Sequence, residues 1–300
     1  MQQSHDRYEV SVIIPTYNRR EILSYTLLSL TQQNIGKERF EVVLIDDGST
    51  DGTREMIATY ESRLNIKYHF LKDSGHTPST ARNKGILLSE GRICLLIDSG
   101  VMLKDNCISE HLRFYETRPS HATAIGYVYG FFAPIEVEEE MMKVLVTDDP
   151  AESFRRMAED EMFRDIRDLH YPKYNDQLQD LPAPWFYYWS CHISAQRSDL
   201  VAVGMFDESY NGRWGVEDND LGFRLQAFGV KTYLLRSAQT IHYPHYRSYD
   251  DMREQGTKNC AYFHSKFPTP ETKLFLDYYM HPNFLDINQL ALEMQLTKVG

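Results

Sequence analysis

Short apolar runs rich in β-branched residues alternate with helical stretches over the first hundred residues of the chain. Such alternation is typical of a parallel sheet with crossover helices. The predicted strands cover 10–15, 41–46, 66–71 and 92–98, and the predicted helices cover 21–32, 53–62 and 78–88. Because α/β proteins bind ligands at the carboxyl ends of their strands, residues 16–18, 46–49 and 98–100 should converge on one crevice. The fold class is therefore α/β, with a mostly parallel, Rossmann-like central sheet flanked by helices.

The pattern changes after residue 105, where a helix over 108–116 and a strand over 123–132 are predicted. The charged stretch 148–169 carries apolar residues at helical spacing. We interpret it as an amphipathic helix packed on the core, with a mobile lid or a substrate-binding element as the alternative.

The segment 181–189 combines two prolines with an aromatic cluster, which predicts a loop or an edge strand. Residues beyond 249 favour helices, over 252–264 and 272–280. We therefore divide the chain into 1–105, 106–248 and a helical C-terminal extension, 249–300.

The charge balance excludes some classes of partner. The chain has 32 Lys and Arg against 43 Asp and Glu, a formal net charge of −11. Nucleic acids and anionic lipid surfaces require a basic field, so no nucleic-acid partner is expected. No apolar run has the length of a membrane helix, the first residues lack an apolar signal core, and the four cysteines show no paired spacing. A cytoplasmic chain is expected, with peripheral attachment to a membrane left open.

Two adjacent carboxylates, Asp46 and Asp47, follow the second predicted strand and precede a tight turn. Buried carboxylates without partners are costly, and a base-edge N–H and a ribose hydroxyl of a nucleotide would be natural partners. The neighbouring strand ends in Pro15, Thr16, Tyr17 and Asn18. The Tyr17 ring could stack on the base, so these six residues are candidates for binding a nucleotide.

The segment 80–85 reads Thr-Ala-Arg-Asn-Lys-Gly and places cationic and amide groups within one helical turn. Arg82 could reach a diphosphate in the same crevice, with Asn83 beside it. The alternative is a surface helix with solvated charges.

These motifs, in this order, resemble the nucleotide-sugar-binding half of family 2 glycosyltransferases, whose fold is called GT-A. The segment 204–225, which contains Trp-Gly-Val-Glu-Asp-Asn-Asp, is similar to the acceptor-side signature of the galactosyl- and N-acetylgalactosaminyl-transferase-like members. The resemblance spans residues 8–247. It implies that 1–105 binds the nucleotide sugar, that 106–248 is the acceptor-binding and catalytic half of the same domain, and that the sugar is transferred with inversion.

The family's Glu-Asp motif falls on Glu217 and Asp218, and the resemblance makes Asp218 the catalytic base. The chemistry requires such a group because the incoming hydroxyl must lose its proton as it attacks. One carboxylate suffices for a single inverting displacement, whereas a retaining reaction would need a second carboxylate as nucleophile. A charged helix start is the structural alternative for this motif.

The family's Asp-x-Asp element, which holds the ribose and a divalent cation, falls on Asp98, Ser99 and Gly100. Glycine replaces the last carboxylate. The resemblance supplies His242 as a second metal ligand, so Mn²⁺ or Mg²⁺ bound by Asp98 and His242 is one expectation. Neutralisation of the leaving group without metal, by Arg82, Lys84 or His245, is the other.

Aromatic residues provide candidates for the acceptor site. If 181–189 is extended, alternate residues face one side. The candidates are Trp185, Tyr187 and Trp189, together with Trp214. The acceptor itself stays open between a glycan, a lipid-linked glycan, a protein and a small metabolite.

The resemblance favours UDP as the nucleotide, although the same residues would hold dTDP nearly as well. Processive synthases of this fold carry membrane helices and a Gln-x-x-Arg-Trp element, and this sequence has neither after Asp218. A single-addition transferase is therefore expected, with a homodimer through the C-terminal helices left open. The rival classes are an inactive sugar-nucleotide-binding protein and a sugar nucleotidyltransferase.

Overall fold

The computed structural model describes residues 6–118, 121–245 and 248–294. Within these ranges the strands are β1 (Tyr8–Thr16), β2 (Phe40–Asp46), β3 (Ile66–Phe70), β4 (Gly91–Ile97), β5 (Val101–Leu103), β6 (Ala122–Tyr129), β7 (His192–Gln196) and β8 (Lys231–His242). The helices are α1 (Arg20–Thr31), α2 (Thr53–Ala58), α3 (Pro78–Leu88), α4 (Cys107–Thr117), α5 (Ile135–Val144), α6 (Pro150–Ala158), α7 (Arg197–Ala202), α8 (Glu217–Ala227), α9 (Tyr249–Lys266), α10 (Pro270–Tyr278) and α11 (Ile287–Glu293). None of these helices has the length and apolar composition to cross a bilayer.

The strands form one sheet in the order β3-β2-β1-β4-β7-β6-β8-β5. The first four are mutually parallel, β7 runs antiparallel to β4 and β6, and β8 is parallel to β6. The mixed α/β class and the mostly parallel sheet are as predicted.

Strand register brings distant chain segments to one edge of the sheet. Thr16 at the end of β1 pairs with Asp46 at the end of β2. Ile97 at the end of β4 pairs with His192 at the start of β7, and Val101 pairs with His242 at the end of β8. The predicted crevice therefore forms where these strands end or begin.

Alternate residues of β1 enter two different cores. Val12 and Ile14 pack among residues of α1 and α4 on one face, whereas Ile13 packs on the other face with α3 and α8. This alternation follows from the two-residue repeat of a strand. Phe263 and Phe275 of the C-terminal extension belong to the same core as Ile13, so the extension packs directly on the sheet domain.

Two element predictions are wrong. The stretch 148–169 is not one helix, because α6 ends at Ala158 and is followed by 3₁₀ turns capped by the side chains of Asp160 and Asp165. The segment 181–189 is neither loop nor edge strand throughout, because Pro184–Tyr187 forms a 3₁₀ helix. Proline is well accommodated at that first helical position.

Candidate functional site

A cavity of about 650 Å³ opens at the predicted edge of the sheet. Twelve of the seventeen site residues predicted from the sequence line it. They are Pro15, Thr16, Tyr17, Asp47, Arg82, Asp98, Ser99, Trp189, Trp214, Glu217, Asp218 and His242. The other five, Asn18, Asp46, Asn83, Trp185 and Tyr187, do not line it. The sequence motifs thus converge on one site, with specific exceptions.

Strand β2 ends at Asp46, and Asp47 is the first residue after it. Asp46 is buried away from the cavity and accepts hydrogen bonds from the Ser49 N–H and the Tyr68 hydroxyl, at 2.8 Å each. Asp47 lines the cavity and accepts from the Thr77 hydroxyl at 2.7 Å. The prediction that both carboxylates face the nucleotide is therefore corrected, because the Ser49 N–H and the Tyr68 hydroxyl of β3 already bind the Asp46 carboxylate.

Asn18 also holds loops together. Its backbone φ is 49°, its N–H donates to the Ser49 hydroxyl, and its side-chain oxygen accepts from the Thr50 N–H. The Tyr17 ring beside it is 46% exposed and lines the cavity, so it is available to stack on a base.

Arg82 of α3 links the residue after β4 to the start of α8. Its guanidinium donates to Asp98 at 2.9 Å and to Glu217 at 3.0 Å, although its side chain is only 7% exposed. Burial of this cation is stabilised by the two carboxylates, which raise the pKa of Arg82. Its Nε atom has no hydrogen-bond partner among the described residues.

Asn83 points away from the cavity. Its side chain donates to the Phe206 carbonyl at 2.9 Å and accepts from the Phe206 N–H at 2.8 Å. It also donates to Glu208. The prediction of a nucleotide-binding role is corrected, because these bonds make Asn83 a link between α3 and the loop after α7. Of the other cations considered for the leaving group, His245 lines the cavity and Lys84 does not.

Asp218 lies in the first turn of α8 and faces the cavity. Its carboxylate accepts from the Ser190 N–H at 3.1 Å and from the Asn219 N–H at 2.9 Å. Burial, with the Glu217 charge beside it, raises the pKa of Asp218 to about 7. A carboxyl group with this pKa exchanges protons near neutral pH, as a general base must.

The turn that precedes Asp218 is strained. Gly215 and Val216 both have left-handed backbone, with φ values of 87° and 78°. This conformation is rare for a β-branched residue and is concentrated at functional sites. Glu217 follows, and its Oε2 atom is buried without a hydrogen-bond partner in the part of the chain that the structure describes.

The predicted metal ligands Asp98 and His242 both line the cavity. Gly100 has a left-handed backbone with φ 94°, and its carbonyl accepts from the Tyr243 N–H at 2.9 Å. The carboxylate of Asp98 and the imidazole of His242 form a mixed oxygen and nitrogen donor set of the kind that binds Mn²⁺. The residues present therefore fit a divalent cation.

The aromatic candidates divide into two groups. Trp189 and Trp214 line the cavity, whereas Trp185 and Tyr187 are fully buried in the core. Trp185 packs on Phe263 and Phe275, and the Tyr187 hydroxyl donates to Asp286. The acceptor role predicted for Trp185 and Tyr187 is corrected, because the 3₁₀ helix replaces the extended alternation on which it rested.

Sequence reasoning missed several residues of the cavity wall. Phe131 and Phe132, after β6, line the cavity, and so do Tyr278 at the end of α10 and residues 279–282 and 284–285 between α10 and α11. The strand predicted over 123–132 includes Phe131 and Phe132, but β6 ends at Tyr129, and Gly130 is a signal for the turn that follows. No motif marks the α10–α11 connection.

Comparison with known proteins agrees with this geometry. Residues 11–170 match the model of glycosyl transferase family 2. The chain belongs to this family, and its fold is GT-A. Asp218 lies outside the matched residues.

A validoxylamine A glucosyltransferase from Streptomyces hygroscopicus subsp. jinggangensis is 34% identical over 89% of this chain and 63% of its own length. The chain spans about three fifths of the length of the curated relatives it matches first. A crystal structure of Staphylococcus aureus TarS 1-349 with UDP-GlcNAc superposes with a TM-score of 0.60 at 19% identity, covering 95% of this chain and 76% of that one. A mannosyltransferase from Pyrobaculum calidifontis, in complex with GDP-Man and Mn²⁺, gives a TM-score of 0.62 at 15% identity, covering 96% and 75%.

Proposed function

We propose that this chain transfers one sugar from a UDP-linked donor to an acceptor hydroxyl with inversion, and that Asp218 is the general base. The observation that carries the proposal is the place of the Asp218 carboxylate. It lies half-buried in the cavity wall on the first turn of α8, with its pKa raised to about 7.

The proposed reaction is a single displacement. The acceptor hydroxyl oxygen attacks the anomeric carbon as the bond from that carbon to the diphosphate breaks, and the hydroxyl proton moves to Asp218. Negative charge develops on the leaving diphosphate. Arg82, the buried cation that is paired with Asp98 and Glu217, is assigned to stabilise that charge.

Asp47, Tyr17, Thr16, Pro15 and Ser99 are assigned to the nucleotide, and Asp98 and His242 would hold Mn²⁺ or Mg²⁺. A bound divalent cation supplies further positive charge at the leaving diphosphate. Support for the sugar nucleotide comes from the family and from neighbours of the same fold that bind UDP-GlcNAc or GDP-Man. The 34%-identical relative is a glucosyltransferase, which favours glucose as the transferred sugar.

The test is release of nucleoside diphosphate from UDP-, dTDP- and GDP-linked sugars, with Mn²⁺ and with chelator. We expect UDP release with UDP-glucose, and a product whose anomeric configuration is opposite to that of the donor by NMR. Donor binding without release under any metal would support the inactive binding protein instead. Release of pyrophosphate from a nucleoside triphosphate and a sugar phosphate would support the nucleotidyltransferase.

A further inference from the structure

Three residues of the kind that ligate metals lie together in the core of the sheet domain. They are Cys107 and His111 of α4 and His192 at the start of β7, and we call them the buried cluster. Each side chain is fully buried, and one donor atom from each lies within 4.8 Å of the donor atoms of the other two. None of the three lines the cavity, so the buried cluster is separate from the site proposed for the sugar nucleotide.

Helix and strand periodicity explain how these side chains meet. Cys107 and His111 are four residues apart, so they project from the same face of α4. His192 and Ser194 are two residues apart on β7 and share one face of the sheet. The Ser194 hydroxyl lies 2.9 Å from Nδ1 of His111, so that face of β7 is the one that packs on α4.

Hydroxyl groups bind the outer nitrogen of each imidazole. Nδ1 of His192 lies 3.0 Å from the Thr240 hydroxyl, and Nδ1 of His111 is held by Ser194. The Thr240 hydroxyl donates to the Tyr127 carbonyl at 3.2 Å, so its oxygen is left to accept from Nδ1 of His192. In that tautomer Nε2 of His192 carries the lone pair that faces the rest of the buried cluster. Partners of this kind orient the histidines of metal sites.

Two donor atoms approach that single lone pair. Nε2 of His111 lies 2.9 Å from Nε2 of His192, and Sγ of Cys107 lies 3.5 Å from it. One lone pair accepts one hydrogen bond, whereas a cation placed between the three atoms would bind all of them. With the bond lengths of zinc and tetrahedral angles, two nitrogens lie about 3.3 Å apart and a sulfur lies about 3.6 Å from a nitrogen. The spacing in the buried cluster is close to both values.

The charges around the buried cluster also suit a cation. Burial lowers the pKa of His111 to about 3 and lowers that of His192 well below its usual value, so both imidazoles are neutral and able to act as ligands. Burial, with the Glu110 charge nearby, raises the pKa of the Cys107 thiol. A bound divalent cation would displace that thiol proton, and the thiolate and Glu110 would then offset the charge of the ion.

We propose that the buried cluster binds one Zn²⁺ ion, which fastens α4 to β7. One thiolate and two imidazoles are the sulfur and nitrogen donors that zinc takes, whereas Mn²⁺ and Mg²⁺, proposed for Asp98 and His242, favour sets that include carboxylate oxygen. Zinc sites with three protein ligands complete their tetrahedron with water. The inference goes beyond the proposed function and does not depend on it.

Such an ion would stabilise the segments that carry the cavity edge. His192 lies two residues after Ser190, whose N–H binds the Asp218 carboxylate. Thr240, which binds the imidazole of His192, lies two residues before His242 on β8. The role of the ion is therefore structural, and loss of the ion should show first as loss of stability.

The experiment measures zinc in the full chain, produced in medium that contains Zn²⁺ and then dialysed against EDTA to strip ions from exposed sites and from the cavity. Elemental analysis should give about one zinc ion per wild-type chain, and at least about tenfold less for Cys107→Ser and His111→Gln. Cys94→Ser is the matched control, because Cys94 is also fully buried but lies on β4 outside the buried cluster, and it should retain zinc. His242→Ala should retain zinc too, which separates this ion from a cation at the sugar nucleotide.

Two readouts on the wild-type chain decide the matter where a variant does not fold. A chain produced with Co²⁺ in place of Zn²⁺ should show an absorption band from charge transfer between thiolate and cobalt. Removal of zinc with a strong chelator in mild denaturant should lower the thermal midpoint by at least about 5 °C, because binding to the folded state alone contributes to its stability.

A wild-type chain without zinc after dialysis, or a cobalt form without the thiolate band, overturns the site and leaves the buried cluster as a hydrogen-bonded part of the core. Zinc that is retained in Cys107→Ser, or lost equally from a folded Cys94→Ser, overturns the assignment of ligands as well. Each of these results leaves the proposed function standing, because proton transfer to Asp218 does not involve the buried cluster.

Discussion

The backbone N–H of Ser190 donates a hydrogen bond to the carboxylate of Asp218 over 3.1 Å. This bond joins the segment before β7, which carries Trp189, to the first turn of α8. It also favours the charged form of Asp218, against the burial and the Glu217 charge that raise its pKa. The position and the protonation of the proposed base therefore depend on the same contact.

The pH dependence of transfer should follow Asp218. A general base works only when deprotonated, so kcat/KM for the acceptor should rise about tenfold per pH unit below an apparent pKa near 7 and level off above it. Steady-state rates of UDP release at saturating sugar donor measure this profile. A flat profile between pH 5 and pH 8 would be incompatible with Asp218 as the base.

The ionised Asp218 carboxylate should also lower the free energy of unfolding at neutral and alkaline pH. Because its pKa is raised, Asp218 keeps a proton in the native chain that the unfolded chain releases near pH 4. The stability that the protonated Asp218 contributes is therefore full at low pH and is lost as the pH rises towards 7. Asn at this position carries no such cost. The difference in free energy of unfolding, Asp218→Asn minus wild type, should therefore be larger at pH 8 than at pH 5 by about 2–3 kcal/mol. Urea denaturation at the two pH values tests this, and a pH-independent difference would contradict the raised pKa of Asp218.

Arg82 should affect both the pKa of Asp218 and the stability of the fold. Its charge lowers the pKa of Asp218, so in Arg82→Met the apparent pKa of the rate profile should move upward. The loss of two ion pairs should also destabilise the chain by about 3–5 kcal/mol. Asn83→Ala is the control on the same helix: it removes buried hydrogen bonds and lowers the thermal midpoint, but should leave the profile in place. A pH–rate profile that does not shift in Arg82→Met would contradict an influence of the Arg82 charge on Asp218.

Much of this site could be predicted because the residues concerned end strands or begin a helix. The short β-branched runs of β1 and β2, alternating with helical stretches, indicate a parallel sheet, and parallel strands bring Thr16, Asp47 and Asp98 to one edge. The Trp-Gly turn and the Glu-Asp pair are local in sequence, so their position at the start of α8 is also readable.

The failures are of two kinds. Asp46 and Asp47 are neighbours in sequence, but which one faces the cavity depends on Tyr68 and Thr77, which come from other segments. Trp185 was misassigned because two prolines permit a 3₁₀ helix as well as an edge strand, and tertiary packing decided between them.

The contribution of residues 279–285 to the cavity wall depends on long-range packing alone. Their cavity-lining residues come from the connection between α10 and α11, which has no motif of its own. The role of Phe284 could not be predicted from its sequence neighbourhood, because its ring partners, His170 and Phe186, lie about a hundred residues earlier.

Substitution of His242 should change the metal requirement of the reaction more than substitution of Gly100. We expect His242→Ala to raise the Mn²⁺ concentration needed for half-maximal activity at least tenfold, because one of two proposed protein ligands is lost. Gly100→Asp should have a smaller effect on this concentration. Its backbone φ is 94° and an added Cβ would lie 3.0 Å from Ile22, so the change should instead lower stability by about 1–2 kcal/mol. Titration of activity with Mn²⁺ after chelation compares the two, and full activity in chelator would contradict the metal assignment.

The most direct measurement of the central claim is the turnover of Asp218→Asn at saturating sugar donor and acceptor, with donor affinity measured by calorimetry on the same preparation. Loss of a general base predicts a kcat lower by about 10²–10⁴-fold with the dissociation constant for the sugar nucleotide unchanged within about threefold. A variant that retains kcat within tenfold of wild type while still binding the sugar nucleotide would show that another group removes the proton.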